Sequence, residues 1–315
     1  MDIEILLALQ RFRGGAGGAL TAFLSKMTFF GELNTVIVLM AVVYWCVSRE
    51  FGAYLLTGFG VNRLVNGALK VTACAYRPWI RDPRMAPETA ALASASGYSF
   101  PSGHSMNAAT AYGGTIPRKD LPRALRVSSG ILVFLVAFSR IFLGVHTPQD
   151  ILVGTFCGLL VMFLIWKLLT WLREHPEKEA AAVCLGVAVS AAVAVYAGFK
   201  SYPADYDAAG KLLVDGAKMA NDTFKGVGYS LAIFTGLFLE RRFVRFTTDI
   251  PMAQRLTRCI CGLLGFYALN LIVSPLLVAG IPGPLGTVVS RFVPLFYISF
   301  LFPLLIRRIE RDTNP

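Results

Sequence analysis

The sequence predicts an all-α fold, a polytopic membrane helical bundle with about nine transmembrane helices. Three observations lead to this prediction. Of the 315 residues, 55% are hydrophobic and the mean hydropathy is +0.60, values that an ordinary soluble domain does not reach. The apolar residues fall in runs long enough to cross a bilayer as helices. Short loops rich in Lys and Arg separate these runs, as in proteins that cross the membrane many times.

The N-terminal segment, residues 1–31, is predicted to lie at the membrane surface. It carries Asp2 and Glu4 but no early cation, which is untypical of a secretory signal. The leucines between Leu6 and Phe12 give a helix there one apolar face. We therefore expect an interfacial helix in place of a membrane span.

Nine apolar stretches after this segment are interpreted as transmembrane helices. They cover residues 32–48, 51–74, 104–117, 125–145, 149–172, 180–199, 226–244, 257–279 and 286–306. The third stretch is short, because at a rise of about 1.5 Å per residue it spans only about 20 Å. We expect it to begin inside the membrane profile, so that the residues at its start lie in a recess.

The same pattern predicts how the chain is divided. The segment 1–31 is followed by a core of helices at 32–200, and then by a loop and additional C-terminal helices at 201–315. Within this last part, residues 200–225 form a long loop in which Asp and Lys residues are scattered. We expect a solvated interfacial helix there, and the alternative is a lid over a site.

The balance of charges indicates the orientation in the membrane. There are 30 Lys and Arg residues against 19 Asp and Glu, a net charge of +11. In a soluble protein this excess would suggest nucleic-acid binding, but these cations lie mostly in short loops, so we expect no nucleic-acid partner. One face collects the cations near residues 49, 118–126, 167–178, 241–258 and 307–311. We assign this face to the cytoplasm, which places the polar motifs described below on the extracytoplasmic side.

Lys70 and Arg77 are the first candidate site residues. They are seven positions apart, about two helical turns, so a helix continuing through both would direct their side chains the same way. Two long cations on one face can converge on a single anion such as a phosphate group. The alternative is a pair of ordinary cations that extend from a helix end toward the membrane surface.

The second candidate stretch is Pro101-Ser102-Gly103-His104, which precedes an apolar run. Ser102 is typical of a helix N-cap, and Gly103 lets a ligand approach the backbone. Free amides at a helix start bind phosphate oxygens well, and His104 could protonate a leaving oxygen as a general acid. The alternative is a plain helix cap followed by an incidental histidine.

The third candidate stretch contains Arg140, His146 and Asp150 between two long apolar runs. Ionisable residues at membrane depth are costly and usually functional. Arg140 offers a planar fork of donors suited to phosphate oxygens. His146 is the candidate nucleophile, and Asp150 could accept the proton on its other ring nitrogen. Asp150 is also well placed to cap the helix that begins after Thr147 and Pro148, and the two roles can coexist.

No cofactor and no catalytic metal are expected. The sequence contains no acidic cluster that suggests a metal site. Lys70, Arg77 and Arg140 can instead neutralise the charge on transferring phosphoryl oxygens. The third histidine of the chain, His175, lies in a basic loop and is predicted to be a surface residue.

Taken in order, the three stretches read K-x6-R-P, P-S-G-H and S-R-x5-H-x3-D. At every defining position this signature resembles that of the type-2 phosphatidic acid phosphatase superfamily. The resemblance implies a membrane phosphatase that works through a phosphohistidine intermediate. It assigns the phosphate-binding role to Lys70, Arg77, Ser102, Gly103 and Arg140, the acid to His104, the nucleophile to His146 and its partner to Asp150. The expected helix count is similar to that of the glucose-6-phosphatase and sphingosine-1-phosphate phosphatase branches.

The expected activity is hydrolysis of a lipid-linked or amphiphilic phosphate monoester or diphosphate. Phosphatidate, a sphingoid phosphate, a polyprenyl diphosphate and a sugar phosphate all stay open as substrates. One alternative is a lipid phosphotransferase on the same site, and another, of a different class, is a lipid or phosphate transporter with weak hydrolysis. The partners expected are the phosphorylated substrate and membrane lipids, while the sequence does not indicate an oligomeric state.

Overall fold

The computed structural model describes residues 2–15 and 17–313, the last four of these by their backbone only. The described residues form helices and no β-strand, which confirms the all-α prediction. In chain order the α-helices are α1 (Asp2–Gly15), α2 (Gly18–Met27), α3 (Leu33–Val42), α4 (Arg49–Ala73), α5 (Pro78–Arg81), α6 (Thr89–Leu92), α7 (Gly103–Ala111), α8 (Arg123–Phe142), α9 (Pro148–Glu174), α10 (Glu179–Phe199), α11 (Gly216–Leu239), α12 (Met252–Ala268), α13 (Ser274–Gly280), α14 (Gly283–Phe296) and α15 (Phe302–Thr313).

Short π-helical turns extend or join several of these helices. Residues Val43–Val47 continue α3, and residues Glu240–Val244 continue α11. Two further turns, Leu269–Val273 and Tyr297–Leu301, join α12 to α13 and α14 to α15. The last two predicted spans therefore correspond to long composite helices with one irregular turn each.

The number of helices suited to crossing a membrane is smaller than predicted. Five described helical stretches have the length and hydropathy of a span: Arg123–Phe142, Pro148–Glu174, Pro176–Phe199, Met252–Gly280 and Gly283–Ile309. A sixth is added if Gly18–Gly31 and Leu33–Val47, which meet at a bend of 55°, are taken as one. The membrane bundle is confirmed, whereas the count of nine spans is not.

The difference lies in three predicted spans that are helical in the structure. Helices α4 and α11 have 25 and 24 residues but are not among the apolar stretches, and α7 has only nine residues. Helix α4 is less hydropathic than a span because Arg63 and Lys70 interrupt its apolar sequence. The apolar runs in the sequence locate these three helices correctly, but the helices are shorter or less apolar than membrane spans.

The chain forms two compact units, each built from three separate stretches. The first unit contains the N-terminal residues up to Val36, together with Val65–Phe163 and Phe199–Ala220. The second contains Ile37–Leu64, Leu164–Gly198 and the residues from Asn221 onward. All eight candidate site residues belong to the first unit. The linear division at residues 31 and 200 stays a prediction.

Glycines allow α9 to lie directly against the loop that precedes α7. A Cβ atom at Gly154 would lie 2.9 Å from the carbonyl oxygen of Ser102 and 3.2 Å from its amide nitrogen. One turn further along α9, a Cβ atom at Gly158 would lie 2.6 Å from the Cβ of Ala109. Because no side chain stands between them, the α9 backbone fixes the position of the second motif.

The N-terminal helix α1 is tied to the same unit by polar contacts. Asp2 forms an ion pair with Arg81 at 3.1 Å. Arg13 donates to the carbonyl oxygen of Phe142 at 2.7 Å, which satisfies an acceptor at the C-terminal end of α8. The segment predicted to be interfacial is therefore packed against the end of α8, close to the third motif.

The close approach at Gly154 generates a stability prediction. In an open helix, Gly→Ala is stabilising by about 1 kcal/mol because it reduces backbone entropy in the unfolded chain. At Gly154 the added methyl group would press on the backbone of Ser102, so Gly154→Ala should destabilise the protein by about 1–3 kcal/mol. Gly130→Ala in α8 is the matched control, since its Cβ would meet only the Cδ1 of Ile116 at 3.9 Å. Thermal unfolding in detergent measures both, and an unchanged or raised Tm for Gly154→Ala would contradict the packing described.

Candidate active site

The three sequence motifs meet at one place in the first unit. The amide of Ser102, in the second motif, donates to the carbonyl oxygen of Asp150, in the third, at 3.0 Å. Arg77, in the first motif, donates through Nη1 to the carbonyl oxygen of Val145 at 2.8 Å. Residues 48 and 68 positions apart in the sequence are therefore joined by direct hydrogen bonds around His146.

A single carboxylate oxygen, Oδ2 of Asp150, organises the histidine. It lies 3.3 Å from Nδ1 of His146 and accepts from the hydroxyl of Ser99 at 2.5 Å. It also accepts from the backbone amide of Thr147 at 2.8 Å. With its Nδ1 toward the carboxylate, His146 carries its proton there and leaves the lone pair on Nε2.

Asp150 also caps the helix that carries it. Its own amide donates to Oγ1 of Thr147 at 3.3 Å, while its carboxylate accepts from the amide of Thr147. This reciprocal pair satisfies two amides at the start of α9. The position of the carboxylate is therefore fixed by the helix start, independently of the histidine.

Arg77 is held almost entirely by backbone carbonyl groups. Its side chain donates to the oxygens of Gly97 at 3.0 Å, Val145 at 2.8 Å and Ser96 at 3.3 Å. Its Nη1 also lies 2.9 Å from Nε2 of His146. Because neutral acceptors hold it, the guanidinium keeps its charge uncompensated beside the histidine nitrogen.

The prediction that one helix directs Lys70 and Arg77 the same way is wrong. Helix α4 ends at Ala73, and Cys74 has φ +45°, which turns the backbone out of the helix. Arg77 is extended, at φ −65° and ψ 153°, as expected of a residue that precedes proline. Lys70 itself donates to the carbonyl oxygen of Tyr98 at 3.0 Å, so both cations reach the same loop by different routes.

Ser102 is the N-cap of α7, as the sequence predicts. Its Oγ accepts from the amide of Ser105 at 3.4 Å and from the Ser105 hydroxyl at 3.0 Å, and the side chain is fully buried. A Cβ atom at Gly103 would meet only Oδ1 of Asn66, at 3.8 Å. The backbone at the start of α7 is therefore not blocked by neighbouring atoms, as a phosphate-binding helix end requires.

His104 and Arg140 both carry a buried nitrogen without a partner. Among the described residues, neither Nε2 of His104 nor Nε of Arg140 has a hydrogen-bond acceptor or donor in reach. The other guanidinium nitrogens of Arg140 donate to Oγ1 of Thr28 at 2.6 Å and to Oγ of Ser94 at 3.1 Å. Unsatisfied buried nitrogens are costly, and a ligand with anionic oxygens would satisfy both.

The charge of the site is positive, and this determines the state of the histidine. Burial, followed by the charges of Arg77, Arg140 and Lys70, holds the pKa of His146 well below its usual value. Burial also lowers the pKa of Arg77 to about 10, which leaves it charged at neutral pH. Burial, followed by the charge of Arg140, likewise holds the pKa of His104 well below its usual value. The site therefore combines two neutral imidazoles with three cations and one carboxylate.

Four polar residues at the site were missed by the sequence reasoning. They are Thr28, Asn66, Ser94 and Ser99. Asn66 could have been found, because it lies four residues before Lys70 and so on the same face of α4. It donates to the carbonyl oxygen of Pro101 at 3.4 Å. Serines and threonines in loops carry no comparable local pattern.

An all-α membrane bundle with three cations around a histidine–aspartate pair defines a class of phosphate-handling membrane proteins. Residues 51–174 match the PAP2 superfamily, and residues 224–313 match the PAP2 superfamily phosphatase transmembrane extension. Together the two regions cover more than half of the chain, which belongs to the PAP2 superfamily. All eight predicted site residues lie within the first region.

Two named relatives are similar to parts of the chain. Over 141 residues it is 36% identical to phosphatidylglycerophosphatase B of Bacillus subtilis (strain 168), an alignment covering 42% of this chain and 65% of that protein. This chain thus spans slightly less than two thirds of that relative's length. Over 164 residues it is 26% identical to undecaprenyl-diphosphatase of Sulfolobus acidocaldarius, covering 52% of this chain and 76% of that protein.

One solved structure is also similar, the first transmembrane PAP2 type phosphatidylglycerolphosphate phosphatase from Bacillus subtilis. The identity is 29% and the TM-score is 0.43. The alignment covers 53% of this chain and 83% of that chain.

The lowered pKa of His146 generates a prediction about pH. A group with a lowered pKa loses its proton at lower pH, so the neutral imidazole, the form required of the predicted nucleophile, persists as the pH falls below 7. The acid limb of kcat/KM for p-nitrophenyl phosphate should therefore lie below about 6.5, the ordinary histidine value. Lys70→Gln removes one of the cations that lower the pKa, so it should move this limb to higher pH.

Ionisation of the substrate also contributes to the acid limb of kcat/KM, but it contributes equally to the wild type and to Lys70→Gln. It therefore cancels when the two profiles are compared. Lys119→Gln is the control, since Lys119 is an exposed cation in the loop after α7 and should leave the limb unchanged. A limb that moves to lower pH, or does not move, in Lys70→Gln would contradict the electrostatic description of the site.

Proposed function

We propose that this protein is an integral-membrane phosphatase. It hydrolyses a lipid-linked or amphiphilic phosphate monoester or diphosphate through a phosphohistidine on His146, without a metal ion. The observation that carries the proposal is the arrangement of the imidazole of His146. Its Nδ1 faces the carboxylate of Asp150 at 3.3 Å, and its Nε2 faces the guanidinium of Arg77 at 2.9 Å. The nucleophile and a phosphate-binding cation thus adjoin each other.

In the first step, Nε2 of His146 attacks the phosphorus atom, and the bond to the leaving oxygen breaks. Asp150 stabilises the proton on Nδ1 as positive charge develops on the ring. A phosphoryl oxygen near Nε2 gives Nη1 of Arg77 an anionic acceptor. His104, whose pKa burial and the surrounding cations hold low without substrate, takes up a proton when the anionic substrate offsets those cations. It donates this proton to the leaving oxygen, so the leaving group departs protonated.

In the second step, water attacks the phosphorus atom and the P–N bond breaks. His104, now lacking its proton, takes one from the water, which regenerates the acid and yields inorganic phosphate. Lys70, Arg77 and Arg140 neutralise the equatorial oxygens in both steps. The amides at the start of α7 add uncharged donors at fixed positions.

The donor set supports a reaction that does not need a metal. Among the described residues no group of three or more His, Cys, Asp or Glu side chains is close enough to hold an ion. The carboxylate of Asp150 is already committed to Ser99, Thr147 and His146. Three cations are present in its surroundings, and they supply the positive charge that a metal provides in other phosphoryl-transfer sites.

The names of the relatives support a phospholipid or isoprenoid phosphate as the substrate. One is named for phosphatidylglycerophosphate and the other for undecaprenyl diphosphate. The candidate site belongs to a membrane bundle, and its second motif starts the buried helix α7. A lipid substrate fits this position, because its apolar tail can remain in the bilayer while its phosphate group enters the site. The substrate is therefore taken to be a phosphorylated lipid.

The substitution His146→Ala provides the test of function. It should reduce phosphate release from phosphatidylglycerophosphate, phosphatidate and undecaprenyl diphosphate by about 10³-fold or more, since no other group can attack. His175→Ala is the matched control. The His175 ring stacks on Trp171 outside the site, and its loss should leave turnover unchanged. Phosphate release in detergent, with and without EDTA, measures both. Near-normal activity in His146→Ala, or activity lost to EDTA and restored by magnesium, would sink the mechanism.

The active site is proposed to lie on the extracytoplasmic side of the membrane. The support is the collection of cations on the opposite face, including Arg118, Lys119 and Arg123. Ala93 lies in the loop that contacts the site, and Lys119 lies in the loop after α7; both are exposed.

Single cysteines at Ala93 and Lys119, in a background without the six native cysteines, report on sidedness. An impermeant maleimide applied to intact cells should label Ala93→Cys and not Lys119→Cys. Position 94 is avoided because the hydroxyl of Ser94 binds Arg140. Labelling of Lys119→Cys alone would place the site in the cytoplasm.

A further inference from the structure

A second set of charges, partly buried, lies in the second unit, outside the candidate active site. It is formed by Arg63 on α4, Asp222 and Lys225 on α11, and Arg291 on α14. Of these, Arg63, Arg291 and Asp222 lie within electrostatic range of the hydroxyl of Tyr229. We call these residues the second-unit basic cluster. The phosphatase mechanism uses none of them.

The cluster contains three cations and one carboxylate. Lys225 pairs with the carboxylate of Asp222 at 2.7 Å. Within the described chain, Arg63 and Arg291 form no ion pair. The carboxylate of Asp222 also acts on Arg63 over a longer distance, but one carboxylate against three cations leaves the cluster with an excess of two positive charges.

Hydrogen bonding leaves the same two arginines incomplete. The Nε atoms of Arg63 and Arg291 are both buried, and neither has a partner among the described residues. Arg291 donates through Nη1 to Oδ1 of Asn270 at 3.2 Å, a neutral acceptor. A guanidinium has five donors, so most of the hydrogen-bonding capacity of the pair is open.

Glycines on α11 let α4 and α14, which carry the two arginines, pack closely on different sides of the same stretch of that helix. A Cβ atom at Gly226 would lie 3.2 Å from the carbonyl oxygen of Arg63. At Gly228 it would lie 3.1 Å from the Cβ of Arg291. Tyr229 follows directly, and its buried hydroxyl is within electrostatic range of both guanidinium groups.

Unpaired cations in this position demand a compensating anion. An uncompensated buried charge costs several kcal/mol, and intramembrane cations generally pair with something. Arginine forks match the geometry of phosphate oxygens, to which they can donate two parallel hydrogen bonds. The neutral Asn270 and the hydroxyl of Tyr229 supply additional polar contacts without cancelling the charge.

We propose that the second-unit basic cluster is a non-catalytic binding site for a phosphate anion, supplied by the phosphodiester headgroup of an anionic membrane phospholipid, one whose phosphate charge is not cancelled by a cation in the same headgroup. This goes beyond the proposed phosphatase activity, because the cluster holds no nucleophile and no general acid. The bound anion stabilises the second unit by neutralising Arg63 and Arg291. Free phosphate shares the same chemistry, and the experiment separates the two sources.

The experiment measures the thermal unfolding of the delipidated full chain in detergent, titrated with three probes. The probes are dioctanoyl phosphatidylglycerol, dioctanoyl phosphatidylcholine and inorganic phosphate. Phosphatidylglycerol should raise the Tm of the wild type. The variant Arg63→Gln/Arg291→Gln should bind it roughly tenfold or more weakly, since it loses two charged donors. A rise in Tm with inorganic phosphate that equals the lipid's would identify the free anion as the ligand.

Two further variants keep the test decisive. Arg258→Gln removes another buried arginine of this unit, one that donates to carbonyl groups of Trp45 and Thr247, and it should retain the lipid response. Arg63→Gln alone, which loses no ion pair, should weaken binding if the double variant does not fold. Without lipid, Arg63→Gln should melt no lower than the wild type, because an unpaired charge is removed.

A purely structural role for the cluster predicts the reverse. In that case Arg63→Gln would melt lower without lipid, and its response to phosphatidylglycerol would equal that of the wild type. Either this pattern, or a response to phosphatidylcholine equal to that with phosphatidylglycerol, overturns the proposal.

Discussion

The candidate site depends on one acceptor, the Oδ2 atom of Asp150. The amide of Thr147, the hydroxyl of Ser99 and the Nδ1 of His146 all converge on this oxygen. The first contact belongs to the start of α9, the second to the loop before α7, and the third to the proposed nucleophile. Because the helix start fixes the carboxylate, and the carboxylate fixes the imidazole, the direction of Nε2 follows from the backbone of α9. The Ser102 amide, which donates to the carbonyl of the same residue, ties the phosphate-binding helix end to that point.

Arg77 and Arg140, two of the cations around this pair, are held by neutral groups, which suits the phosphate-binding role proposed for them. Carbonyl oxygens hold Arg77, while hydroxyls hold Arg140. A carboxylate partner would fix the same side chains but would cancel their charge. Carbonyl and hydroxyl acceptors fix the geometry and leave the charge for a phosphoryl group, so the electrostatic stabilisation exists before the substrate arrives. The same charges keep the imidazole of His146 neutral, as a nitrogen nucleophile must be.

Local patterns in the sequence predict much of this site, and tertiary contacts account for the rest. Ser102 as the N-cap of α7, and the pairing of His146 with Asp150 across one turn, follow from spacing alone. The route of Arg77 follows only in part. Pro78 predicts the extended backbone of Arg77, but the positive φ of Cys74, which turns the chain after α4, has no local signal in the sequence. Ser99 reaches the site through a loop 51 positions from Asp150, so sequence spacing gives no signal. The count of nine membrane spans is not confirmed for a different reason, since an apolar run that forms a helix, such as α4 or α11, can still fall short of the hydropathy of a span.

Transfer of phosphate to Nε2 of His146 is the step on which the proposed function depends. Rapid quenching in alkaline SDS during turnover of a ³²P-labelled lipid phosphate, followed by gel filtration at alkaline pH, measures protein-bound label directly. The predicted result is label that is stable in base and lost in acid, that maps to the peptide containing His146, and that is absent from His146→Ala. Label that persists in His146→Ala, or a turning-over enzyme that never carries label, would contradict the claim.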